Sequence, residues 1–436
     1  MNTRTLLTAA LTLPLAGAAS AQVATSLVEV GDVALVNGGV TTVDRLDGFN
    51  VNEVGGYAVL AASPRPDGTD LNEFILGSLG ATAPVVLASE GAQAGFTVDD
   101  FAGAPDIAND GTLAYRAGTT GTESIVVRGG QAVAVRGNPV PASSGISGFT
   151  YRVPNRVQIT ADGTSTSFTS SLDGSGAAGA LFTDDGANAP LKFFFSPSGG
   201  NQSTVVSGTA LQANPGSSSY EVSSDGTRFI AEVDTGGNPA DDGAVAVGFV
   251  GGAVTVPTVN GSPVREDSPI ASGSSELWDD FDRFGVANDG TYLFTGSLAG
   301  GDEYLAINGN IALRTGDTVG SGTIDGDFGT AELNNTGDYA TIVGVGGGQS
   351  LVVNGQEVLS LGDAASTSVG LEALTGFSTG VDQLGITDAV DGVFSVYFQG
   401  STASVSNALF VVAVPEPATA AVLAAGGLLL ARRRRA

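Results

Sequence analysis

One turn chemistry recurs seven times along the chain, and its spacing limits the fold more than any other feature. The turns are Asn52-Glu-Val-Gly55, Asn109-Asp-Gly111, Ala161-Asp-Gly163, Ser224-Asp-Gly226, Asn288-Asp-Gly290, Asn334-Asn-Thr-Gly337 and Val390-Asp-Gly392. Their glycines lie 56, 52, 63, 64, 47 and 55 residues apart. Asp or Asn caps such a turn with its side chain, and Gly supplies the positive φ. A β-forming run follows each turn, then a second run, a tight turn and a third. The tight turns include Arg128-Gly-Gly-Gln131, Val250-Gly-Gly-Ala253, Asn308-Gly-Asn310 and Asn354-Gly-Gln356. Gly-Gly and Asn-Gly suit two-residue hairpins, where both central residues need positive φ. No window between the chain ends shows sustained helical periodicity.

A unit of this length holds about four short strands and must bury its faces against its neighbours. The expectation is an all-β tandem repeat, a seven-bladed β-propeller spanning residues 22–412. The uneven spacing keeps a β-solenoid or tandem β-sandwiches as alternatives. Ahead of the first turn, Asp32 to Val43 has the form strand, Asn-Gly-Gly turn, strand. After the last turn only Val393 to Phe398 and Ala408 to Val412 remain. These pieces are expected to complete one blade from both termini, which removes the exposed sheet edges.

Composition narrows the chemistry. The 436 residues include no His and no Cys, which excludes a Ser-His-Asp triad, a Cys-His pair, an ordinary structural zinc site and disulfides. With 17 basic against 45 acidic residues the net charge is −28, a poor match for a nucleic-acid backbone. Charged residues make up only 14% and hydrophobic ones 42%, too apolar for a disordered chain.

Both ends read as targeting segments. Arg4, the apolar run Leu6 to Leu15 and Ala19-Ser20-Ala21 form a secretory signal over residues 1–21, with Ala19 and Ala21 as the small residues of the cleavage site and Gln22 as the mature start. Export machinery and a signal peptidase are the implied partners. Residues 413–436 hold Pro415-Glu416-Pro417, the apolar stretch Ala418 to Ala431, and Arg432, Arg433, Arg434 and Arg435. The apolar stretch is short against the roughly 20 residues of a standard spanning helix. The arginines would hold the tail on the cytoplasmic side during export. Loss of Arg4 and the four tail arginines would leave a still more acidic body.

This tail resembles the PEP-CTERM sorting signal of exported bacterial proteins. The resemblance implies recognition by an exosortase, a cut near the triplet that removes a short transmembrane helix, and a place in the cell envelope or exopolysaccharide matrix. A plain C-terminal anchor is the alternative. The repeats are similar to a family named for Asn-x-x-Gly-x-x-Ala-Phe: Asn52, Gly55 and Ala58, and Asn334, Gly337 and Ala340, match its spacing, whereas the unit at Gly163 fits poorly. That family is associated with surface proteins and implies no enzymatic activity.

Carboxylates are the remaining reactive groups. Glu276 to Asp282 concentrates them around the only tryptophan, and Trp278 with Asp279 and Asp280 is the candidate glycan contact, for a carbohydrate-binding or carboxylate-based glycoside-cleaving propeller. An acidic loop whose Trp278 and Phe281 pack onto the sheet accounts for the same residues. Asp67, Asp70, Asp325 and Asp327 are candidate calcium ligands in Gly-containing loops. Plain turn chemistry also accounts for them, and no cofactor is expected. The reading as a whole is a non-enzymatic, exported surface or matrix protein acting in adhesion or in the exopolysaccharide matrix.

Overall fold

The computed structural model describes residues 22–64, 71–79, 84–93, 96–119, 123–144, 148–173, 178–184, 191–195, 205–206, 209–210, 220–234, 243–250 and 253–416. The signal segment, the tail beyond Glu416, and Asp67 and Asp70 therefore lie outside the described residues. Among the described residues no helix is long and apolar enough to cross a membrane.

Seven antiparallel sheets follow one another along the chain. Blade 1 is Arg45–Val51, Tyr57–Pro64, Leu71–Ser78 and Val85–Ser89, paired in that order. Blades 2 to 6 repeat the pattern, with innermost strands Asp106–Ile107, Thr150–Ile159, Tyr220–Val222, Phe284–Val286 and Gly322–Leu333. Blade 7 begins with Leu384–Ile386 and continues through Val393–Thr402 and Ala408–Pro415. The innermost strands touch in sequence around an axis, and that of blade 7 touches that of blade 1. The ring is closed, which is the seven-bladed propeller expected from the turns.

The second strand of each blade packs on both faces. Every residue of Tyr57–Pro64 except Pro64 is buried. The apolar side chains gather into seven clusters, and each belongs to one junction between neighbouring blades. Blade 5 meets blade 4 through Trp278, Phe281, Phe294 and Tyr304 against Ile230 and Val245. Burial between sheets thus replaces a single central core.

Both termini close the ring, but with a different N-terminal segment from the one expected. Ala24–Glu29 is the outer strand of blade 7, antiparallel to Ala408–Pro415 with Thr25 opposite Val411 and Glu29 opposite Ala408. Its other edge pairs in parallel with Ala364–Thr367. Asp32 to Val43 instead folds as a separate hairpin of Val33–Val36 and Gly39–Thr42. Strict alternation explains the difference. Ala34 and Val36 are buried against blade 1, whereas Val33, Leu35 and Val40 are exposed. A strand with one wet face suits a surface hairpin rather than a blade.

The blade 7 to blade 1 junction buries Val28, Leu409, Phe49 and Tyr57 together. Leu409→Ala is expected to lower the unfolding free energy by about 2–5 kcal/mol in denaturant titrations. Val33→Ala, at a side chain 71% exposed, should change it by less than about 0.5 kcal/mol.

Candidate functional site

The seven turns lie at one end of the ring, each joining an innermost strand to the second strand of its blade. In the four Asp-Gly-Thr turns, the Asp carboxylate accepts the Thr backbone N–H two residues on, at 2.8 Å for Asp110, 3.0 Å for Asp162, 2.9 Å for Asp225 and 2.7 Å for Asp289. The two Asn-x-x-Gly turns do more. Asn52 Oδ1 accepts from Gly56 N–H at 2.6 Å, while its Nδ2 crosses to blade 2 and donates to Ala108 O at 3.0 Å. Asn334 Oδ1 likewise accepts from Asp338 N–H at 2.8 Å, and its Nδ2 donates to Thr387 O of blade 7 at 2.9 Å. Both amides are buried. The poorly matching unit at Gly163 forms the same turn, with the Thr160 hydroxyl donating to Asp162 at 2.7 Å.

The residue two places before the turn Gly faces the axis in most blades, and these residues join into a belt. Asn109 Nδ2 donates to Glu53 Oε2 at 3.1 Å. Asn109 N–H reaches Ala161 O at 2.8 Å, and Ala161 N–H reaches Ser224 O at 2.7 Å. Asp225 N–H donates to Asn288 Oδ1 at 3.0 Å, and Asn288 N–H to Asn335 Oδ1 at 3.0 Å. Asn335 N–H donates to Asp388 Oδ1 at 2.8 Å, and Asp388 N–H returns to Glu53 O at 3.1 Å. Across this circle, Glu53 Oε1 also accepts from Asn335 Nδ2 at 2.6 Å and from the Ser224 hydroxyl.

Beneath the belt is a cavity of about 130 Å³ lined from all seven blades. At roughly 10–15 Å³ per water it has room for several waters. One layer of its polar lining stands five places before the turn Gly: Asn50, Asp106, Gln158, Glu221 and Glu332, with Gly285 at the equivalent place in blade 5. Asp106 accepts from Ile107 N–H at 2.8 Å and from Ile159 N–H of blade 3 at 2.7 Å. Gln158 accepts from Val222 N–H of blade 4 at 3.1 Å and donates to Glu221. Glu332 has no hydrogen bond to its carboxylate among the described residues. Towards the far mouth, Arg156 is within 2.8 Å of Glu221 and 3.6 Å of Asp382, and it donates to Tyr220 O at 3.0 Å.

Asp106, Glu221 and Glu332 line this cavity, and Arg156 and Asp382 line a neighbouring one that shares Asn50 and Gln158 with it. Burial pushes Asp106 up to about 7, against the pull of its two N–H donors. Burial also raises Glu221 to about 7, with Arg156 opposing and Asp382 and Asp106 adding to the rise. Burial and then the neighbouring Glu221 raise Glu332 well above the carboxylate range. Burial thus disfavours the charged form of all three carboxyls.

A second acidic group lies at the opposite end of blades 4 and 5. Carboxylate oxygens of Glu232, Glu266 and Asp280 fall within 4.8 Å of one another. Glu266 already accepts Gly243 N–H at 2.8 Å, and Asp280 accepts Phe281 N–H at 2.8 Å. Of the glycan candidates, Asp279 and Asp280 are exposed, but Trp278 is 1% exposed. Its indole packs 5.0 Å from Tyr304 and 5.8 Å from Phe294, which leaves no face for a sugar. Of the calcium candidates, Asp325 and Asp327 occupy an irregular stretch of the blade 6 inner strand, where Asp325 accepts Gly347 N–H at 2.7 Å. Neither joins a group of three or more carboxylates among the described residues. The sequence reading missed the belt and the channel layer, although both stand at fixed offsets from the seven glycines.

Neither family models nor curated protein sequences match this chain. Solved structures do resemble it. The β-propeller domain of the Trilobed protease from Pyrococcus furiosus is 10% identical with a TM-score of 0.44, over 86% of this chain and 96% of that one. Pyrococcus horikoshii acylaminoacyl peptidase is 9% identical with a TM-score of 0.45, over 84% of this chain and 50% of that one. A puromycin-hydrolyzing peptidase from Mycobacterium tuberculosis is 14% identical with a TM-score of 0.45, over 91% and 55%. The chain thus spans about half the length of the full-length peptidases. The likeness is one of fold. Structures named as peptidases among them stand against the expectation of a non-enzymatic chain, while the likeness itself carries no activity over to this one.

Two outcomes follow from this geometry. Asn52→Ala removes a buried bridge between blades and is expected to cost about 1–3 kcal/mol in denaturant unfolding. For the channel acids, unfolded carboxylates titrate near pH 4 and folded Asp106 and Glu221 near 7. Their contribution to stability is full below about pH 4 and is lost as pH rises through about 7, since the folded state binds more protons in that window. Melting temperatures between pH 4.5 and 8 should show this decline, and Glu332→Gln should make it shallower.

Proposed function

We propose that this chain is an exported bacterial protein that carries a β-propeller to the cell surface or the extracellular matrix, where it acts in adhesion or within exopolysaccharide. A PEP-CTERM-type tail would sort it, and an exosortase-like enzyme would remove that tail. The observation that carries the reading is the order of parts after the last strand: Pro415-Glu416-Pro417, then Ala418 to Ala431, then Arg432 to Arg435. The signal-like segment that ends at Ala21 supports export. The last described strand ends at Pro415, within the Pro-Glu-Pro triplet. A strongly acidic body would stay soluble and avoid anionic membranes once freed.

The intact mass of the protein from its native host, taken by cell fraction, tests the proposal. The expected species begins at Gln22 and lacks Ala418 to Ala436. A membrane-bound species that keeps the tail would overturn the processing and leave a simple anchor.

A further inference from the structure

Pairing in blade 7 reaches into the Pro-Glu-Pro triplet. Ala408–Pro415 pairs antiparallel with Val393–Thr402, with Phe394 opposite Val414 and Val393 opposite Pro415. The pairing continues one residue beyond the strand, where Glu416 N–H donates to Gly392 O at 2.9 Å. Bonded and non-bonded pairs alternate in such a ladder, so Pro415 faces Val393 in a non-bonded pair. Its missing N–H therefore removes nothing from the ladder with the neighbouring strand.

The partner side is well anchored. Val390 and Val393 exchange backbone bonds of 2.8 and 3.1 Å around Asp391 and Gly392, whose φ angles are +54° and +74°. Side chains along the strand alternate too: Val412 and Val414 are buried in the junction between blades 6 and 7, whereas Ala413 and Pro415 are exposed.

We propose that Pro415 and Glu416 belong to the folded body, so that any cut releasing the tail from the folded chain falls at the Glu416–Pro417 bond or beyond. A peptidase that binds its substrate as an added strand needs backbone groups free to pair in its own cleft. Up to Glu416, blade 7 already uses those that face Val393–Thr402. A processing enzyme then meets Pro415 and Glu416 fixed on a blade edge. Hydrolysis at the Glu416–Pro417 bond would add one water, leaving a carboxylate on Glu416 and a free secondary amine on Pro417. The consequence for sorting rests on the tail reading above; the boundary itself does not.

Limited digestion of the purified full-length chain with proteinase K, followed by mass measurement of the resistant core, tests the boundary. The expected core ends at Glu416 or later. A core ending at Pro415 or earlier overturns the proposal, because the last pairing would not hold against a protease. In protein recovered from the host the expected C-terminal residue is again Glu416 or later, and a terminus at Pro415 or earlier overturns it there. A host protein that keeps the tail counts against the sorting reading alone, since the digestion still decides the boundary.

Discussion

The circle of hydrogen bonds through the seven turns is the constraint on which the rest of the structure depends. A propeller has no central core. Its apolar faces meet between blades, and the inner strand ends are left around a narrow, wet axis. Every backbone group there must find a partner. The belt from Glu53 through Asn109, Ala161, Ser224, Asn288, Asn335 and Asp388 supplies those partners and fixes each blade against the next. Asn52 and Asn334 add a second set of bridges just outside it. The apolar junctions then fill the space that the belt has set.

Blade number could be read from the sequence because each turn needs a glycine at positive φ, and glycine is visible in any sequence. The innermost strands could not. In blades 2, 4, 5 and 7 they are two or three residues long, too short for alternation to show. The repeat read from the sequence therefore straddles blades, starting at the turn rather than at the strand before it. The closing strand was hidden for a related reason: Ala24–Glu29 carries no turn signal of its own, whereas the hairpin after it does.

The candidate sites were less legible, because they depend on distance in space. Trp278 among carboxylates looks like a sugar platform until Phe294 and Tyr304, from other strands of the blade, are seen to enclose it. Glu232, Glu266 and Asp280 come together only because blade 4 meets blade 5. The channel layer is different in kind. Asp106, Gln158, Glu221 and Glu332 keep a constant offset from the turn glycine, so the register was present in the sequence. Only the propeller geometry shows that this register points at the axis. There Gly285 provides no side chain, and the Glu332 carboxylate accepts no hydrogen bond among the described residues.

The closing strand also sets an order of events. Ala24–Glu29 is the first described strand of the chain, yet its antiparallel partner is the last described one, with Thr25 opposite Val411. Contacts so distant in sequence are entropically slow to form. The outer edge of blade 7 stays open until Ala408–Pro415 arrives. Ring closure therefore waits until the whole body, from Ala24 to Pro415, is present.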